Sequence, residues 1–251
     1  MKKFALVLGA SLLMLLPFTV AAQQTLQQDD FASMSGWTAG SGGWSAMGGA
    51  LEQTDATAPM ARVDHALNQS GQYEISFTVQ YAGGGYMNQT DLANNRLHAG
   101  FGIHIAVDQP ALGAKSWGNG TSYLLWLNLD TRASTAKNYP QHYGFRAQVY
   151  RSRSDTDMSL DPQLNVNIPA ALGITLQDLI NYVQNNGYLH AEVPINIRVN
   201  TNTGRIMVED PTAMGTWYYF DLPASQLKGK YISFRTNGMA ANFRNFMVTR
   251  P

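Results

Sequence analysis

The chain has 251 residues, no cysteine, and 17 Lys+Arg against 17 Asp+Glu. Without cysteine there are no disulfide staples, thiolate metal ligands or thiol nucleophiles, so stability has to come from a packed core. A net charge of zero, with no basic stripe and no polybasic run, argues against nucleic acid and anionic membrane surfaces as partners and leaves little repulsion between copies of the chain.

Residues 1–22 read as a secretory signal peptide. Lys2 and Lys3 give the basic start, residues 4–20 are apolar, and Val20-Ala21-Ala22 supplies small residues for cleavage before Gln23. A transmembrane helix is the weaker reading, because Pro17 interrupts the run. No cysteine follows, so a lipid anchor through cysteine is excluded, and a secreted or periplasmic location is expected. The remaining stretch of about 229 residues is long enough to bury roughly 70% of its unfolded surface as one unit. Residues 23–30 are polar and glutamine-rich and read as a loose arm. Residues 31–251 read as a single domain.

From there the pattern is period two. Residues 73–81 place Tyr73, Ile75, Phe77, Val79 and Tyr81 on one face. Residues 99–107 repeat this, with small residues and His104 on the second face. Residues 123–129 are apolar on both faces and carry Trp126 and Asn128 on the even side. Residues 143–150 set Phe145, Ala147 and Val149 against Arg146 and Gln148. Strands at 195–199 and 205–209 flank Asn202-Thr203-Gly204, a hairpin signal. Further strands are expected at 216–222, 231–235 and 243–248. One segment departs from alternation: Thr175 and Asp178 form a capping box, Leu176, Leu179, Ile180 and Val183 follow helical spacing, and Asn186-Gly187 is a stop. The expected fold is an all-β, jelly-roll sandwich of two antiparallel sheets with one short inserted helix, which covers a sheet edge or docks a partner.

The two ends carry a resemblance. Trp37, Gly43-Trp44 and Gly49-Ala50-Leu51 at the start, and Phe234-Arg235-Thr236-Asn237-Gly238 with Phe243-Arg244-Asn245-Phe246 at the finish, are similar to the first and last strands of the concanavalin A-like lectin/glucanase superfamily. Laminin G-like and 3-keto-disaccharide hydrolase-like domains look nearest. The resemblance implies structural roles: tryptophan and leucine pack, and asparagine and arginine satisfy backbone groups at the sheet edge. It implies a fold and hardly an activity.

Catalytic signatures are sparse. The laminarinase-type Glu-x-Asp-x-x-Glu run is missing, and Glu209-Asp210 are adjacent, so on a strand they face opposite ways. None of the five histidines, His65, His98, His104, His142 and His190, forms a metal-type pair, and there is no Gly-x-Ser-x-Gly elbow. Gly83-Gly84-Gly85 lacks the lysine of a phosphate loop. Asp155, Asp157 and Asp161 in a Ser- and Arg-rich stretch read as a solvated loop, with calcium as the sharper alternative and the one cofactor considered. Binding is better supported. Trp117 sits in a glycine-rich loop, where it caps the core or stacks a ligand. If Trp126 and Asn128 share a face with His104, Arg146 and Gln148, a polar groove with one aromatic results, suited to sugars. The expectation is a non-catalytic carbohydrate-binding protein whose partner is a glycan. A self-associating structural subunit, such as one of a filament sheath, is the first alternative, and a glycan hydrolase with carboxylates from separate strands is the second.

Overall fold

The structure, a computed structural model, describes residues 23–85, 98–113, 116–186, 190–211 and 213–250. The signal-peptide reading and the polar loop after Gly85 fall outside these residues.

In chain order the elements are β1 (Gln24–Asp29), β2 (Trp37–Ser41), β3 (Trp44–Met47), β4 (Ala50–Gln53), β5 (Ala61–Ala66), β6 (Gln72–Gly84), β7 (His98–Val107) and β8 (Ser122–Asp130). There follow α1 (Ala133–Asn138), β9 (Gly144–Ser152), β10 (Met158–Asn167), α2 (Ile168–Leu172), α3 (Leu176–Asn185), β11 (Val193–Asn200), β12 (Arg205–Glu209), β13 (Trp217–Asp221), β14 (Tyr231–Asn237) and β15 (Met239–Arg250). One sheet runs β13-β12-β11-β6-β15-β4-β3, with β1 also on β15; the other runs β10-β9-β8-β7-β14-β5-β2. Neighbouring strands pair antiparallel, and the two sheets make an all-β sandwich.

The core lies between the sheets and follows the alternation. Tyr73, Ile75, Phe77 and Val79 of β6 are buried, as are Ala99, Ile103 and Ile105 of β7. The two chain ends meet at its centre. Trp37 stacks on Phe234 at 5.2 Å, Phe234 on Phe243 at 4.5 Å, and Trp37 meets Phe246 edge-on at 5.4 Å. Phe243 and Phe246 are three residues apart, which simple alternation would send to opposite faces. A bulge resolves this: the β15–β6 register shifts between Arg244 and Met247, and Asn245 takes φ 54°, so both rings point inward.

Residues 24–29, expected as a loose arm, form β1, paired with β15 from Gln24↔Arg250 to Asp29↔Phe246. Five of its six side chains are polar, so hydrophobic pattern could not reveal it. Backbone pairing and local bonds hold it: Asp29 accepts from the Phe31 amide at 2.7 Å and from Trp37 Nε1 at 2.8 Å. The expected hairpin joins β11 to β12, and its glycine is required. Gly204 has φ 86°, and a Cβ there would sit 1.9 Å from the Leu222 carbonyl oxygen. The expected helix is α3. Its capping box is reciprocal, with Thr175 Oγ1 donating to Asp178 at 2.6 Å and accepting from the Asp178 amide at 3.1 Å. The short helices α1 and α2 and the edge strand β10 were not expected, and Asp161 lies in β10 rather than in a loop.

Candidate functional site: a roofed polar face and the Trp117 loop

The outer face of the second sheet is built in register. One row reads Arg62, Arg235, Gly102, Trp126, Gln148 across β5, β14, β7, β8 and β9. The next reads Asp64, Ser233, His104, Leu124, Tyr150, and a third reads Asn237, Gly100, Asn128, Arg146. Five residues singled out from sequence, His104, Trp126, Asn128, Arg146 and Gln148, thus share one face. The glycines of β7 make room there. A Cβ on Gly100 or Gly102 would come within 2.4 or 2.9 Å of the Trp126 ring, so the indole lies directly against that strand.

The face is enclosed by two stretches of chain. The first comprises residues 108–113 and 116–121. The Arg62 guanidinium donates to the Ala111 carbonyl and, at 3.1 Å, to Asp64. Arg235, 0% exposed, donates to the carbonyls of Ser116 and Trp117 and, at 2.9 Å, to His104 Nε2. Asn119 donates to Ser233 Oγ at 2.8 Å and accepts from the Ala111 amide at 2.8 Å. Ser233 passes its own proton to Asp64 at 2.6 Å.

This geometry fixes the His104 tautomer. Arginine only donates, so Nε2 must accept, and the proton sits on Nδ1, which donates to Ser122 Oγ at 2.9 Å. Burial, reinforced by Arg235 and Arg62, holds the His104 pKa well below the usual imidazole value, so the ring stays neutral. Burial, with Arg62 nearby, also pulls the Arg235 pKa down to about 9, which leaves it charged at neutral pH.

The second enclosing stretch runs from Thr131 to Tyr143 and includes α1. Asn128 donates to the His142 carbonyl at 3.1 Å, Arg146 to the Tyr143 carbonyl at 2.6 Å, and Gln148 to the Gln141 carbonyl at 3.3 Å. Asp130, at the end of β8, pairs with Arg132 at 2.6 Å and accepts from Thr135 at 2.9 Å. Burial works to raise its pKa, but the bonds from Arg132 and Thr135 outweigh it and hold the carboxyl below its ordinary value.

The expected open groove is therefore covered over much of its area. His104, Asn128 and Gln148 are buried with their polar atoms engaged, and Trp126 is only 7% exposed. Trp117 is the exception. It is 52% exposed while the backbone that carries it is tied down from beneath. Arg146 on β9 keeps partial exposure, under the second enclosing stretch, where it also bonds the Tyr143 carbonyl. The sequence reading missed Arg62, Asp64, Ser233 and Arg235. A signal for them was present, since 61–65 and 231–235 both alternate. The Phe-Arg pair at 234–235 satisfies backbone carbonyls, but from a strand in the middle of its sheet rather than at the edge.

The three aspartates have separate partners. Asp155 accepts from the amides of Leu112 and Gly120 at 3.3 Å each, Asp157 pairs with Arg153 at 3.2 Å, and Asp161 accepts from the Gln163 amide at 3.0 Å. Among the described residues no three of His, Asp and Glu are gathered closely enough to hold a metal ion.

No family model matches this chain, and no curated protein does. Solved structures do. The CBM2 module of the evolved Dit of Lactobacillus casei BL23 phage J-1 aligns with TM-score 0.53 at 9% identity, covering 90% of this chain and 95% of that one. A carbohydrate-binding module, CBM66, from Bacillus subtilis aligns with TM-score 0.43 at 10% identity, over 86% and 96%. The lectin UEA-II complexed with galactose aligns with TM-score 0.46 at 12% identity, over 88% and 96%. What the chain shares with the CBM2 module is the fold, a sandwich of two antiparallel sheets.

Proposed function

We propose that this chain is a secreted or periplasmic carbohydrate-binding protein that does not cleave its ligand, and that Trp117 is its principal sugar-stacking residue. The observation that carries this reading is a half-exposed indole whose own backbone carbonyl, with that of Ser116, accepts hydrogen bonds from a fully buried guanidinium. Sugars present apolar C–H faces to aromatic rings, and a backbone already tied down has less freedom to lose on binding. The fold shared with the CBM2 module of the phage J-1 Dit agrees with the reading.

A hydrolytic role is disfavoured by the buried carboxylates of this face. Asp64 is enclosed in an ion pair with Arg62, and Asp130, paired with Arg132, is held below the ordinary carboxyl value, which disfavours Asp130 as the general acid of glycoside cleavage. The test is affinity electrophoresis of the mature protein through a panel of polysaccharides, beside Trp117→Ala. The expected result is retardation by at least one polysaccharide that is markedly weaker for the variant while its thermal melt stays unchanged.

A further inference from the structure

The opposite side of the molecule carries an aromatic strip that the Trp117 site does not use. In β13, at the edge of the first sheet, Phe220 pairs with Ile206 and packs on the core; Tyr218 lies on that same side but is 61% exposed, and Trp217, Tyr219 and Asp221 point to the outer face. The same outer face holds Arg205, Met207 and Glu209 of β12, Asn196 and Arg198 of β11, and Glu74 of β6.

Each ring is backed by a cation. The Arg198 guanidinium lies 3.9 Å from the Trp217 ring centroid, and that of Arg205 lies 4.6 Å from Tyr219. Each cation is in turn matched by a carboxylate, Arg198 by Glu74 at 2.6 Å and Arg205 by Asp221 at 2.6 and 3.1 Å. The rings are thus held in position without an unpaired cation, yet Tyr219 is 65% exposed.

We propose that Trp217 and Tyr219 form a second stacking platform, on the face opposite Trp117, for consecutive sugar rings of an uncharged polysaccharide. Residues two apart on a strand are separated by about 7 Å, so one extended chain can lie over both rings. Cation–π contacts restrict the rings before any ligand arrives, which lowers the ordering cost of binding. Internal neutralisation of both arginines removes the attraction that an anionic polymer would need. Glu74, which bonds Arg198 through one oxygen, and Asn196, which donates to Glu209 through its amide nitrogen, leave their other polar atoms alongside the rings for hydroxyls. The inference rests on the carbohydrate-binding reading but uses none of the Trp117 residues. With sites on both faces, one molecule can bridge two polysaccharide chains.

The experiment compares the mature protein, Trp117→Ala, and Trp217→Ala/Tyr219→Ala in affinity electrophoresis and in turbidity with the neutral polysaccharide that retards the parent most. Matching thermal melts establish that the variants are folded. The platform variant is expected to bind about tenfold more weakly and to lose polysaccharide clouding, with residual retardation through Trp117. Trp117→Ala is expected to keep residual retardation through the platform. A platform variant that matches the parent in both assays overturns the inference and leaves the Trp117 reading intact. Binding lost only in the platform variant supports the platform and overturns the Trp117 reading. No retardation of the parent overturns both, and a platform variant that changes only the size-exclusion profile reassigns the strip to self-association and overturns the inference.

Discussion

Single residues divide the polar face into side chains that hold it together and one that is free to meet a ligand. Trp126 was singled out from sequence beside Trp117, but the two sit in different environments. Trp126 lies against Gly100 and Gly102 and is enclosed, so Trp126→Ala should cost about 3–5 kcal/mol in urea unfolding, the range for large core truncations. Trp117→Ala should leave unfolding unchanged within about 0.5 kcal/mol, as is usual at the surface. Arg235→Met tests the tie between them. It removes the donors to Ser116 and Trp117 and leaves those carbonyls unsatisfied, at about 1–3 kcal/mol each where they stay buried. The variant should also weaken sugar binding by freeing the Trp117 backbone, which binding titrations of the still-folded protein would detect. Alternation was enough to group His104, Trp126, Asn128, Arg146 and Gln148 on one face. It could not reveal that carbonyls of two distant stretches would close over them, because backbone acceptors leave no mark in side-chain identity.

At the scale of elements, legibility tracked hydrophobic pattern. Strands β6, β7 and β9 announced themselves by apolar residues at every second position, β8 by an apolar run, β11 and β12 by the hairpin signal between them, and α3 by its capping box. β1 escaped notice because glutamines gave it no pattern, though it extends the sheet beside β15. Its anchoring can be tested through Asp29, whose two oxygens serve the Phe31 amide and the Trp37 indole. Asp29→Ala should destabilise the fold by about 1–2 kcal/mol, measured by denaturant unfolding, since both donors lose a partner at the edge of the aromatic core. The helix should behave differently. None of the apolar residues Leu176, Leu179, Ile180 and Val183 is fully buried, so α3 depends on local bonds more than on packing. Thr175→Ala should therefore speed hydrogen exchange across 176–185 while the global melting temperature stays the same. A fall in global stability would show that α3 is part of the core.

For the whole molecule, burial of neutral histidines makes stability depend on pH. His65, His98, His104 and His142 all have pKa values pushed down, with burial as the leading cause. A histidine kept neutral in the fold takes up a proton once unfolded. Below about pH 6.5 the unfolded state therefore binds more protons, and stability falls as pH falls. The melting temperature should be level between about pH 7 and 8 and should decline from about pH 6.5 to 5. His104→Gln should flatten that decline. At this scale the two ends of the chain were the most legible part: Trp37, Phe234, Phe243 and Phe246 pack together at the centre of the sandwich. The ligand was less legible, because stacking on an exposed indole needs one residue and no motif.

The measurement that tests the central claim most directly is retardation of the mature protein in a polysaccharide panel, run beside Trp117→Ala. The account predicts that a polysaccharide slows the parent and that the variant, with the same melting temperature, runs through it markedly faster. Equal retardation of parent and variant, or none in either, would contradict it.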